Sequence, residues 1–194
     1  RSARDIAEEI EQVGGDLNAA TSLETTAYFA RVMKADVPLA LDIIADILFN
    51  PSYTADEIER EREVILQEIA ATQDSPEEIA YELLSGVAYP DQPVGRAILG
   101  LPETVGRFTA VDLRNFLRTH YHPQQMVLSA AGRIDHGQLV DIARQHFNHF
   151  EAGPLSVAPV ARYVGGAISS DKPFEQAHLL MGFRGSSYQT PDFY

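Results

Sequence analysis

The sequence predicts an α+β fold, an antiparallel sheet packed with helices. Three observations carry this. Helix-start signals, a Ser or Thr followed three residues later by an acid, recur at Ser2 with Asp5, Thr54 with Glu57 and Thr109 with Asp112. Two segments rich in Thr, Tyr, Phe and Val, 17–23 and 25–33, follow one another directly, which suits an antiparallel pair and leaves no room for the crossover that parallel strands need. The helices also cluster among the strands and do not alternate with them.

Taken in order, Ile6, Ala7, Ile10 and Val13 mark a short amphipathic helix stopped by Gly14-Gly15. In the second strand Ala27, Phe29 and Arg31 alternate with Tyr28, Ala30 and Val32, so one face is more apolar than the other. Asp36 then caps a helix with Pro38 in its first turn and Leu39, Leu41, Ile43, Ile44, Ile47 and Leu48 apolar almost all round, as a core helix should be. Thr54 opens a long helix to about Thr72, and Ser75-Pro76 opens another to about Ala88. Pro90, Pro93 and Gly95 make 89–101 a loop. A helix from Thr109 to about His120, a short buried strand over 126–131, and a helix from Asp135 to near Phe150 follow. Pro154 and Pro159 break periodicity, so 151–164 reads as a linker between a first domain, 1–150, and the start of a second, 165–194, whose 177–183 segment is a continuous apolar strand.

Composition narrows the function. There is no cysteine, which excludes disulfides, thiolate-held metals and cysteine nucleophiles. A net charge of −13 argues against nucleic acid and suits a basic partner or substrate. No apolar run approaches the roughly 20 residues of a membrane helix. The expectation is a soluble protein without membrane insertion, its compartment unspecified. The chain opens without methionine inside a helix start and stops at the entry to another helix, so a fragment is expected.

Two glutamates stand out in the long helix. With Ile58 at zero and about 100° per residue, Val64, Ile65, Leu66 and Ile69 mark an apolar arc from roughly 240° through 0° to 80°. Glu61, near 300°, and Glu68, near 280°, fall inside it, whereas Glu59, Arg60, Glu63 and Gln67 lie opposite. A buried carboxylate must be paired, protonated or bound to a cation. Either an ion pair to Arg4, Arg31 or Arg96, or a metal or catalytic role, meets that requirement.

Other motifs are weaker. His120 and His122 sit at a helix exit before Pro123, where histidines meet the helix dipole favourably. His146 and His149 are one turn apart without a third acid on their face. No Rossmann, P-loop or Gly-x-Ser-x-Gly spacing occurs.

The segments 14–22, 42–48 and 59–69, with 91–100 and 121–132, together resemble the pitrilysin/insulinase family of zinc peptidases, most closely its bacterial processing-protease and mitochondrial processing peptidase β-subunit branch. The resemblance runs the length of the chain in order. It implies a half-clamshell of two related domains, zinc as cofactor, and an inverted His-x-x-Glu-His motif completed by a distal glutamate. Glu68 matches that distal ligand and Glu61 a glutamate supporting the site from behind the ligands. Asn18, Ala19 and Thr21 match an edge strand that takes an extended peptide as a further strand. The His-x-x-Glu-His motif itself is absent from the 194 residues and is expected shortly before Arg1.

The resemblance therefore implies a zinc-dependent endopeptidase acting on short or unfolded peptides through a zinc-activated water, with one ligand in view. Its partner would be a second clamshell half, from the same chain or another subunit, in a homo- or heterodimer. The rival is a non-catalytic homologue that binds peptides or serves as a scaffold.

Overall fold

The computed structural model describes residues 1–148, 155, 157–187 and 190–193. Helices dominate it, and one antiparallel pair of strands provides the sheet. The α+β class is as expected, with the sheet smaller than the sequence pattern suggests.

Helix α1, Ala3–Gln12, starts on the anticipated capping box: Asp5 N–H donates to the Ser2 hydroxyl, and the Ser2 N–H donates to the Asp5 carboxylate at 2.8 Å. It ends where Gly14 turns with φ 65°, a conformation other residues adopt at a cost. Strands β1, Asp16–Thr21, and β2, Thr26–Arg31, then pair antiparallel with Asp16 opposite Arg31 and Thr21 opposite Thr26. Leu17 and Ala30 face inward with Val32 and meet a core of Ile10, Ala40 and Ile43. Ile43, fully buried at 0 % exposure, lies on helix α2, Val37–Phe49. Asp36 precedes α2 as expected but makes no side-chain cap, because a short 3-10 turn over Lys34–Asp36 leads into the helix.

Helix α3, Ala55–Gln73, opens with the Thr54 hydroxyl accepting from the Glu57 N–H at 3.4 Å, while the Glu57 carboxylate accepts from the Ser52 hydroxyl at 2.7 Å. Helix α4, Pro76–Ala88, starts on Ser75, whose hydroxyl accepts from the Glu78 N–H. A single turn of helix, α5, covers Pro102–Val105, and α6, Ala110–His120, carries a full capping box between Thr109 and Asp112. Helix α7, His136–His146, starts on Asp135. Asp42 on α2 receives the Arg1 guanidinium at 2.5 Å and His146 Nδ1 at 3.3 Å. Tyr28 on β2 and Tyr121 after α6 share a hydrogen bond between hydroxyls at 3.0 Å. Burial first, then that bond, pushes the Tyr28 phenol above its ordinary pKa.

Two expected strands do not form. Residues 126–131 and 177–183 have no ladder partner among the described residues, and their apolar side chains are open: Val127 is 91 % exposed, and Leu179 and Phe183 are each 85 % exposed. An apolar run specifies a strand only when another strand supplies its hydrogen bonds, and that information is not local. The expected linker lies partly outside the described residues, at 151–154 and 156, and 157–164 carries no regular structure. Two compact units emerge, Arg1–Ile58 with Phe108–Val157 and Glu59–Arg107 with Ala158–Tyr194. No helix among the described residues is long and apolar enough to cross a membrane.

Two measurements probe this fold. Ile43→Ala should cost about 3 kcal/mol in urea unfolding, as expected of a large-to-small change at a fully enclosed site. The Asp112 carboxyl is held below its ordinary pKa by the Thr109 hydroxyl and the Thr109 N–H. A depressed carboxylate stabilises the fold above its unfolded pKa and loses that contribution as pH falls through the lower folded value. Asp112→Asn should therefore flatten the acid limb of α6 helicity, read by amide exchange at Asp112 and Leu113.

Candidate functional site

The expected substrate-binding residues share β1, in the first unit. Asn18, Ala19 and Thr21 are all exposed. Ser22 N–H donates to the Thr25 carbonyl at 2.8 Å, which makes residues 22 and 25 a hydrogen-bonded pair closing the hairpin. Antiparallel pairs alternate between bonded and non-bonded. With the observed register, Ala20 and Asn18 turn their main-chain groups toward β2, and Leu17, Ala19 and Thr21 turn theirs outward. That outer edge has no strand neighbour among the described residues. An independent contact agrees: the Ala19 N–H is taken by the Asn18 side-chain oxygen at 2.8 Å and is thus not spent on β2. The edge offers outward carbonyls at every second residue and outward N–H donors at Leu17 and Thr21, a geometry that accepts an extended peptide.

Glu61 and Glu68 share α3, in the second unit, two turns apart. Their expected burial is not observed. Both are exposed, and so is Val64 at 45 %. Ile69 and Thr72 are the buried positions of α3, with Ile58, Arg62, Ile65 and Leu66 half-buried. On the same wheel the covered side therefore runs from roughly 320° to 80°, narrower than the apolar arc, and the glutamates fall just outside it. Neither carboxylate forms an ion pair among the described residues, and Arg4 pairs instead with Glu8 at 2.6 Å.

The charge that does lie on the covered side is Arg62, which sequence reasoning missed. Its side chain is 17 % exposed; Nη1 donates to the Val105 carbonyl at 2.5 Å and Nε to the Glu59 carboxylate at 3.0 Å. The signal was present, since Arg62 sits near 40° on the wheel, well inside the apolar arc. Its guanidinium reaches the carbonyl of Val105, itself a buried residue, so the half-buried charge is met by a carbonyl and a carboxylate.

The described histidines do not assemble a centre. His120 stacks obliquely on Phe116 with centroids 4.5 Å apart, and the His122 ring nitrogen Nδ1 accepts from the Gln124 N–H at 3.2 Å. His149 lies outside the described residues. No three His, Asp or Glu side chains among the described residues are grouped to hold a metal ion. The described residues therefore do not make a zinc site by themselves.

Comparison with known proteins gives the class. Residues 1–101 match the model of the insulinase peptidases, family M16, and residues 107–194 match the M16 peptidase inactive domain. The chain belongs to this peptidase family. An uncharacterized zinc protease of Rickettsia felis is 40% identical over 188 residues, covering 97% of this chain and 46% of the relative. A probable mitochondrial-processing peptidase β-subunit of Arabidopsis thaliana is 35% identical over 198 residues, covering 99% of this chain and 37% of the relative. The chain thus spans less than half the length of these relatives. In structure, a protease from Helicobacter pylori matches with TM-score 0.75 and 22% identity over 84% of this chain and 39% of its own. An M16 inactive domain from Pseudomonas fluorescens gives TM-score 0.75 at 19% identity, over 84% of this chain and 40% of its own. At such identities the two structures establish the fold.

The assignment of β1's outer edge is testable by proline. A proline is tolerated where the lost N–H points away from the ladder. Ala19→Pro should leave thermal unfolding close to that of the parent, whereas Ala20→Pro should lower Tm by about 5 °C or more, because it removes a ladder bond. Equal destabilisation by both would show that the outward residues have been misassigned.

Proposed function

We propose that this chain is part of a zinc-dependent endopeptidase that takes short or unfolded peptides on the outer edge of β1. The observation that carries the reading is that edge, with outward main-chain groups at Leu17, Ala19 and Thr21 and no strand beside it among the described residues. Recognition through main-chain hydrogen bonds demands extension of the peptide and little of its sequence. Family membership and the relatives' printed description as zinc proteases support the chemical class.

In this reading Asn18, Ala19 and Thr21 bind substrate, Glu68 supplies one zinc ligand, and Glu61 orients another ligand from behind. The exposure of both glutamates suits the role, because a zinc ligand must be reachable by its co-ligands, and the described residues bring no three such groups together. A plant relative's description as a β-subunit supports a partner that supplies the second half of a clamshell, in the same chain or another. The rival reading is a non-catalytic peptide-binding or scaffolding homologue. It is favoured by the match of 107–194 to a domain described as inactive and by the missing three-ligand group among the described residues.

Metal analysis of the full-length protein separates these. Glu68→Gln should lower bound zinc by about tenfold or more, and Glu61→Gln should lower peptidase activity by about 10- to 100-fold with a smaller loss of metal. Undiminished zinc in Glu68→Gln would refute the ligand assignment. A parent protein that holds no zinc and cleaves no peptide would establish the rival.

A further inference from the structure

One side chain in the second unit holds both main-chain groups of a distant residue. The Gln92 carboxamide donates through Nε2 to the Arg162 carbonyl at 2.8 Å and accepts through Oε1 from the Arg162 N–H at 2.7 Å. A neighbouring strand residue would offer that same pair of bonds, and here a side chain delivers it. A carboxamide can do so because it carries donors and an acceptor together, which neither a carboxylate nor an ammonium does.

Adjoining contacts extend the attachment. The Val164 N–H donates to the carbonyl of Ala88, the last residue of α4, at 2.8 Å. The Tyr163 ring meets Tyr89 edge-on with centroids 6.0 Å apart. Gly166, at φ 150°, passes so near α4 that a Cβ there would lie 2.8 Å from the Val87 side chain. Residues 162–166 thus form a strap across the end of α4 and the loop after it. Gln92 belongs to the region matched by the insulinase model and the strap to the region matched by the inactive-domain model.

We propose that Gln92 is the catch of this strap, which alternates between a fastened state and an open one in which Arg162 is released. Exposed neutral hydrogen bonds are individually weak, and a segment without regular structure opens at the low-stability end of the molecule. The catch then sets how firmly residues 162–166 are fastened to the end of α4. This inference does not depend on the peptidase reading.

Trypsin reads the open state directly. Cleavage after Arg162 requires its carbonyl to enter the protease's oxyanion hole, and that carbonyl is the one Gln92 holds. Arg133, exposed, outside any helix or strand and in the first unit, serves as the internal standard. In limited digestion of the intact protein followed by mass spectrometry, Gln92→Ala should raise cleavage at Arg162 relative to Arg133 by about tenfold. Gln92→Glu, which keeps the acceptor and loses the donor, should fall between. An unchanged ratio in Gln92→Ala, or equal acceleration at both arginines, would overturn the catch.

Discussion

The first unit depends on the packing of one hairpin face against two helices. A two-stranded hairpin alone in water is marginal at best. Here Leu17, Ala30 and Val32 are pressed onto Ile10, Ala40 and Ile43, so α1 and α2 supply the stability that further strands would otherwise give. The arrangement leaves the outer edge of β1 without a neighbour among the described residues and still holds all six of its residues in register with β2. An unbroken register matters because strand addition matches donors and acceptors two residues apart along several residues.

Edge strands are usually blunted against unwanted pairing. On β1 the Asn18 side chain covers the Ala19 N–H, a local device that leaves Leu17 and Thr21 open. The same unit is tied down from other directions by the Asp42 contacts to Arg1 and His146 and by the Tyr28 to Tyr121 bond. Polar links at the rim and an aliphatic centre together keep a small sheet fixed on its helices.

Helix starts were the most legible part of the sequence because capping is chemistry within four residues. Ser2 with Asp5 and Thr109 with Asp112 form the boxes their spacing suggests. The hairpin was legible too, since adjacent alternating segments have few alternatives. Segments 126–131 and 177–183 misled because strand pairing is decided at a distance. On α3 the apolar arc was drawn too wide: Val64 is half open, and this alone moves Glu61 and Glu68 from the covered side to its border. Arg62 lies on that arc as well, and its half-burial depends on the Val105 carbonyl, a partner 43 residues away that the helix pattern does not contain. The proposed metal role of Glu68 rests on resemblance, since an exposed glutamate by itself does not distinguish a ligand from an ordinary surface acid.

The apolar row at Leu179, Met181 and Phe183 has a bearing on the behaviour of concentrated solutions. These residues recur at every second position of a stretch without regular structure and stand open. A β-prone row of this kind is a template on which copies can stack. A net charge of −13 opposes such stacking through mutual repulsion between copies. Repulsion of that origin reaches about 8 Å at physiological ionic strength and about 3 Å in 1 M salt. Added salt therefore withdraws the protection while leaving the sticky row in place, and ionic strength becomes the variable that governs how long the chain stays dispersed.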